Sequence, residues 1–133
     1  MRTCYLDASA LVKLATPEAE TDALRAVLDT FDARLTNRLA TVEVARALLR
    51  RGVATSALAA EVSEAFLGLA ITELDAAIAE SAGRLEPPAL RSLDAIHLAS
   101  ALALGDELAA FVTYDAGLAE AARAAGLEAI APA

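Results

Sequence analysis

Cysteine occurs once, at Cys4, so the chain can form neither an internal disulfide nor a multi-cysteine zinc site. Histidine also occurs once, at His97, and lysine once, at Lys13. Aromatic residues make up 4% of a chain that is 57% hydrophobic, so its core has to be built from Leu, Val, Ile and Ala. No apolar run approaches the roughly 20 residues that a membrane span requires. The N-terminus leads straight into strand-forming residues, with no basic stretch followed by a long apolar one, so no signal peptide is expected. No Gly-rich loop able to cradle phosphate and no Ser-centred nucleophile elbow is present. These absences set the expectation of a soluble protein in a reducing, cytoplasmic setting, away from any membrane.

Positive charge is scarce as well. The net charge is −8, which by itself argues against nonspecific nucleic-acid binding, because phosphates need Lys or Arg nearby. The distribution is uneven, however. Arg34, Arg38, Arg46, Arg50 and Arg51 fall in one short region, leaving room for a local basic rim beside an acidic cleft.

What is present is a regular alternation of strands and helices. Thr3–Leu6 favours a short strand, and Ala8–Leu14 follows with apolar residues at helical spacing. Thr16-Pro17-Glu18 reads as a helix start, with Leu24, Val27, Leu28 and Phe31 as its stripe. A second strand is expected over 32–36. A helix from Arg38 to Arg51 turns Leu39, Val42, Ala45, Leu48 and Leu49 inward and ends at Gly52. Thr55 or Ser56 caps the next helix, which carries Leu58, Val62 and Phe66 and closes at Gly68. A third strand spans Leu69–Thr72, a helix Leu74–Leu85, and Glu86-Pro87-Pro88 breaks the chain. Ser92 caps a strongly apolar helix to Leu104, filled by Leu93, Ile96, Leu98, Ala99, Leu102 and Ala103. A fourth strand over Ala110–Tyr114, a helix from Leu118 to Ala125 closed by Gly126, and a last strand over Leu127–Ile130 complete the series. The order is broadly β-α-β-α-α-β-α-α-β-α-β. It implies an α/β fold with a parallel sheet covered on both faces. With 133 residues and no repeat, linker or low-complexity segment, one domain spanning 1–133 is expected.

Four acids stand apart from the rest. Asp7 and Asp115 each sit where a strand gives way to a helix, the place that faces the ligand crevice in α/β sheets. Either would also serve as a helix N-cap. Asp94 lies in the first turn of the most apolar helix, flanked by Leu93, Ala95 and Ile96. The helix dipole favours it there, but partial burial would require a partner such as a metal ion. Glu43 is the only acid of its helix and lies close to the apolar stripe. Catalysis and a salt bridge to Arg46 or Arg50 are both open to it. His97 shares a face with Asp94; we read it as a core or supporting residue rather than a metal ligand. Cys4 reads as a small buried hydrophobe, and Lys13 has either solvent or the cleft open to it.

The segments YLDASALVKL, LATVEVARAL, LRSLDAIHLASAL and FVTYDAGLAEAARAAGL, in that order from the first strand to the last, resemble the PIN domain, and more narrowly the VapC toxins of bacterial toxin–antitoxin pairs. The resemblance implies a three-layer α/β/α fold with a central parallel sheet of four to five short strands in the order 3-2-1-4-5. It maps Asp7, Glu43, Asp94 and Asp115 onto the family's acidic site, with Ser9 and Thr113 as small polar residues supporting it. It implies a Mg²⁺- or Mn²⁺-dependent endoribonuclease acting on RNA, a homodimer, inhibited by a small antitoxin protein. Oxygen-only carboxylate donors agree with that chemistry, since they suit hard divalent ions able to activate water. Asp7 and Asp94 are assigned as principal ligands, Asp115 and Glu43 as completing the site directly or through water. The four carboxyl groups are then expected to converge closely enough to share one ion or an ion pair, and to push at least one acid to a raised pKa. Asn37 departs from the family, where Ser is common; it is expected to leave the ligands intact and to alter substrate contacts. The rival readings are an inactive protein-binding module, which the presence of all four acids opposes, and a nuclease of RNA maturation or of DNA, which the short chain opposes. A small neighbouring reading frame for a DNA-binding protein would separate the toxin from these. The helices over 38–51 and 55–67 are expected to leave apolar surface exposed for an antitoxin helix, with the negative charge favouring a basic partner.

Overall fold

Side chains alternate along β1 (Thr3–Leu6), and the alternation divides the interior in two. Cys4 and Leu6 enter one apolar cluster and Tyr5 the other, all three fully buried. In β4 (Leu108–Val112), Ala110 and Val112 join the first cluster and Phe111 the second. The two strands are parallel neighbours, with Tyr5 opposite Phe111 and Leu6 opposite Val112. The computed structural model, which describes residues 1–133, adds β2 (Ala33–Asn37), β3 (Ala70–Thr72) and β5 (Ala129–Ile130). Together they form one all-parallel sheet in the expected order β3-β2-β1-β4-β5.

Helices cover both faces. α1 (Ala8–Ala15), α2 (Thr21–Leu28), α3 (Leu39–Arg50) and α4 (Thr55–Ala65) enclose the first core, with Leu11, Leu24, Val44 and Leu48 at its centre. α6 (Ser92–Leu102) and α7 (Ala116–Ala124) close the second through Leu98, Ala101, Leu118 and Ala122. α5 (Ala76–Gly83) packs on α6 and buries none of its own residues. The inner strands carry near-continuous apolar runs because both faces are covered. Gly52, Gly68 and Gly126 end their helices at φ of 91°, 76° and 93°, where a side chain would be strained. No helix is long and apolar enough to cross a membrane.

Several local expectations are corrected. Both helices expected between the first two strands are present, one more than the broad order counted. α2 starts at Thr21 rather than at Thr16, because the Thr21 hydroxyl donates to Lys13 O and accepts from Glu18 N, which holds 16–20 as a loop. Neither Thr55 nor Ser56 caps α4, whose N-cap position is Ala54, and Ser92 is the first residue of α6 rather than its cap. β4 ends at Val112, so Thr113 and Tyr114 intervene before Asp115. On α3 the buried stripe is Ala40, Val44 and Leu48, while Val42 is 59% exposed. Val42 and Val44 stand about 200° apart around a helix, so docking one expels the other. On α6, Leu93 is exposed and Ala95, His97 and Ser100 are buried instead.

Candidate active site

The sheet reverses its strand order between β1 and β4, and the crevice at such a switch point is where α/β folds bind ligands. Asp7 leaves β1 at this point. Its carboxylate caps α1 by accepting from Ala10 N at 3.1 Å, so the bland expectation for an acid at a strand-to-helix joint is met. It does more than cap. Ser9 Oγ donates to Oδ1 at 2.6 Å, and Thr113 Oγ1, arriving from the end of β4, donates to Oδ2 at 2.6 Å. Those hydroxyls are held in turn by β4's exit: Tyr114 N donates to Ser9 Oγ at 2.9 Å and Asp115 N to Thr113 Oγ1 at 3.1 Å. Ser9 and Thr113 thus join the ends of the two strands across one carboxylate.

Asp115 repeats the capping arrangement on α7, accepting from Leu118 N at 2.9 Å, and it is exposed. Asp94 sits in the first turn of α6, half-buried. Glu43, from α3, forms no pair with Arg46 or Arg50. Instead His97 Nε2 lies 2.6 Å from its Oε1. His97 is buried, and its other ring nitrogen lies 2.7 Å from the hydroxyl of Tyr5. Asp7 and Asp115 thus stand just beyond the ends of β1 and β4, while α6 and α3 contribute Asp94 and Glu43.

Electrostatics ties them together. Burial raises the Asp7 carboxyl above the ordinary carboxylate range, against the pull of its bonds from Ser9, Thr113 and Ala10. Asp94 is raised by burial first, then by the charges of Asp115 and Asp7 and, more weakly, Glu43, with His97 opposing. Asp94 thus feels all three other acids, and two of the four acids carry raised pKa values. The side chains are not drawn up into a ready-made cage, however: no three His, Cys, Asp or Glu groups are placed to ligate one ion as they stand. The expectation that the four carboxyl groups converge closely enough to share an ion is therefore not met by the side chains as placed.

A cleft of about 710 Å³ opens beside Asp94 and Asp115, between α7 and the segment before α6. Leu118 and Ala121 give it an apolar wall, and Glu86 and Glu120 stand at its sides. Arg91 is its only basic lining residue, exposed and engaged with none of these acids. A separate hollow of about 470 Å³, between Leu14, Arg34 and Glu64, holds none of the four acids.

Other expectations resolve as follows. Asn37 is fully buried; it donates to Ser100 Oγ at 3.0 Å and accepts from Leu39 N at 3.0 Å, so it joins β2 and α3 to α6 and has no contact to offer a substrate. Lys13 turns from the acids to Glu20 at 3.0 Å and lies over the Tyr114 ring. Cys4 is buried, its thiol pushed up to about 11 by desolvation. Of the five clustered arginines, Arg34, Arg38 and Arg51 pair with Asp29, Glu73 and Glu18, leaving Arg46 and Arg50 exposed on α3. Two site residues escaped the sequence reading. Arg91 had a signal, as a lone base three residues before Asp94. Tyr5 had none, since an inward strand aromatic looks like any core residue.

The PIN domain family model matches residues 4–124. The chain belongs to the PIN domain family. It is 43% identical over 132 residues to Ribonuclease VapC46 of Mycobacterium tuberculosis, covering 99% of each chain. It is 46% identical to Ribonuclease VapC35 of the same organism, covering 96% of each. Its fold is shared with VapC20 of M. tuberculosis, described as a sarcin–ricin-loop-cleaving toxin, at TM-score 0.74 and 18% identity, covering 97% of this chain and 99% of that one. It is shared also with VapBC2 of Rickettsia felis, solved bound to a DNA fragment from its promoter, at TM-score 0.75 and 13% identity, covering 98% and 99%. In this PIN domain the matched region contains all four acids together with Ser9 and Thr113.

Proposed function

We propose that this PIN domain is the toxin of a toxin–antitoxin pair, a Mg²⁺- or Mn²⁺-dependent endoribonuclease that cuts RNA at the acid-lined end of β1 and β4. One observation carries the reading: at the switch point of the sheet, Ser9 and Thr113 hold the Asp7 carboxylate across the ends of β1 and β4, with Asp115 N bonded to the same Thr113 hydroxyl. Full-length similarity to ribonucleases of the VapC group supports it. The whole chain, 1–133, acts as the one catalytic domain.

When bound, the divalent ion supplies a charge for the scissile phosphate and an activated water. Asp7, Asp94 and Asp115 would hold it, with Glu43 completing the set; on Asp7, Oδ1 already accepts two hydrogen bonds and Oδ2 only one. Ser9 and Thr113 fix the Asp7 carboxylate so that it cannot swing away. Arg91 is placed to take a substrate phosphate in the adjoining cleft. Without the ion, the site repels RNA.

The partner is a small antitoxin, the toxin itself a homodimer, and the setting cytoplasmic. Val42 on α3 and Leu67 beyond α4 are 59% and 71% exposed, a surface suited to an amphipathic antitoxin helix. A basic side chain of that partner reaching Asp7 and Asp94 would displace the metal, and the net charge of −8 would steer it in. The test is RNA cleavage by the purified chain with Mg²⁺, Mn²⁺ or chelator, alone and co-expressed with the product of an adjacent small gene, with sedimentation for oligomeric state. Metal-dependent cleavage that the partner silences is expected. Cleavage unaffected by chelator would overturn the reading.

A further inference from the structure

Tyr5, His97 and Glu43 form a buried chain of hydrogen-bonding groups that the proposed chemistry does not use directly. Tyr5 and His97 are 0% and 1% exposed. Tyr5 stacks on Phe111 with ring centroids 5.6 Å apart and meets the His97 ring edge-on at 5.8 Å, so neither ring has room to turn. The hydroxyl of Tyr5 lies 2.7 Å from Nδ1, and Glu43 Oε1 lies 2.6 Å from Nε2.

A nitrogen 2.6 Å from a carboxylate oxygen needs a hydrogen between them, which places one on Nε2. The Tyr5 hydroxyl meets the ring from its other side at Nδ1, and Phe111 backs the Tyr5 ring. We infer that Tyr5 and His97 are positioning residues: Tyr5 braces the imidazole, and His97 uses its Nε2 hydrogen to hold the Glu43 carboxylate facing the site, with Oε2 left free for the ion.

This rests on the reading of Glu43 as a site acid, so the test reads Mn²⁺ binding by calorimetry, alongside RNA cleavage. His97→Gln keeps a donor near the position of Nε2 and should retain most of the affinity. His97→Leu and Tyr5→Phe should each lose about 10–100-fold, as is usual when a ligand's supporting partner is removed. Equal losses in the Gln and Leu variants would mean that His97 serves packing only and would overturn its positioning role. Mn²⁺ affinity unchanged in every variant, with RNA cleavage still metal-dependent, would overturn the inference and leave the proposed function standing.

Discussion

At the scale of single residues, capping and ligation are compatible uses of the same carboxylate. Asp7 caps α1 with Oδ1, and its Oδ2 keeps a lone pair toward the site. Asp7→Asn preserves shape: its Oδ1 still accepts from Ser9 and Ala10, and its amide can turn its hydrogens to Thr113. We expect a folded protein with RNA cleavage reduced beyond the ~100-fold that loss of a mere supporting partner costs. Cleavage assays with circular dichroism on the same sample check this; normal cleavage in Mg²⁺ would leave Asp7 as a cap alone. Arg91 has a different signature. Arg91→Gln removes a phosphate contact made in ground and transition states alike, so KM should rise several-fold with kcat little changed. Steady-state kinetics on a short RNA decide it, and a fall in kcat at constant KM would place Arg91 elsewhere in the chemistry.

At the scale of elements, the site exists because two strand ends are clamped together. Ser9 follows β1, Thr113 follows β4, and each bonds to a group at the end of the other strand. Thr113→Val keeps volume but leaves the buried Asp7 Oδ2 without its donor. That costs about 1–3 kcal/mol. A denaturant titration should show this loss with an unchanged m-value, and cleavage should fall with it. The α3 and α4 surface makes a separate prediction. Val42→Ser and Leu67→Ser touch neither the acids nor the core, so cleavage should persist while antitoxin binding weakens by roughly tenfold, about 1.4 kcal/mol. Calorimetry with the purified partner measures it, and undiminished binding in the double variant would move the interface off these helices.

At the scale of the whole molecule, the cluster of like charges links stability to pH and to metal. Asp7 and Asp94 have folded-state pKa values raised above the unfolded 3.8. Groups shifted this way contribute stability that is fully present below 3.8 and lost as pH rises through their raised values. Metal-free protein should therefore gain Tm from Asp94→Asn. The gain should be near zero in acid, grow to a few degrees toward neutral pH, and vanish or reverse when Mg²⁺ is added to both proteins. Using the difference between the two proteins cancels the titrating groups that do not interact with Asp94. A Tm difference independent of pH and of Mg²⁺ would mean that Asp94 stands alone.

Much of this was legible in the amino-acid sequence because it depends on local periodicity. Alternation in YL and FV marks inner strands, and helical spacing marks α1, α3 and α6. Glycines at 52, 68 and 126 stop helices for a reason that any chain obeys. The strand order followed once the resemblance to PIN domains was seen, and the structure bears it out. What escaped the sequence depends on how elements meet. The rotation of α3 about its axis, which buries Val44 and exposes Val42, shows only in its packing against α1 and α4. Glu43 had two arginines one or two turns away on its own helix, yet its partner is His97, 54 positions along the chain. Short-range pairs on an exposed helix are worth only a few tenths of a kcal/mol. A buried donor aimed at a carboxylate is worth more, and only the tertiary structure brings that donor within reach.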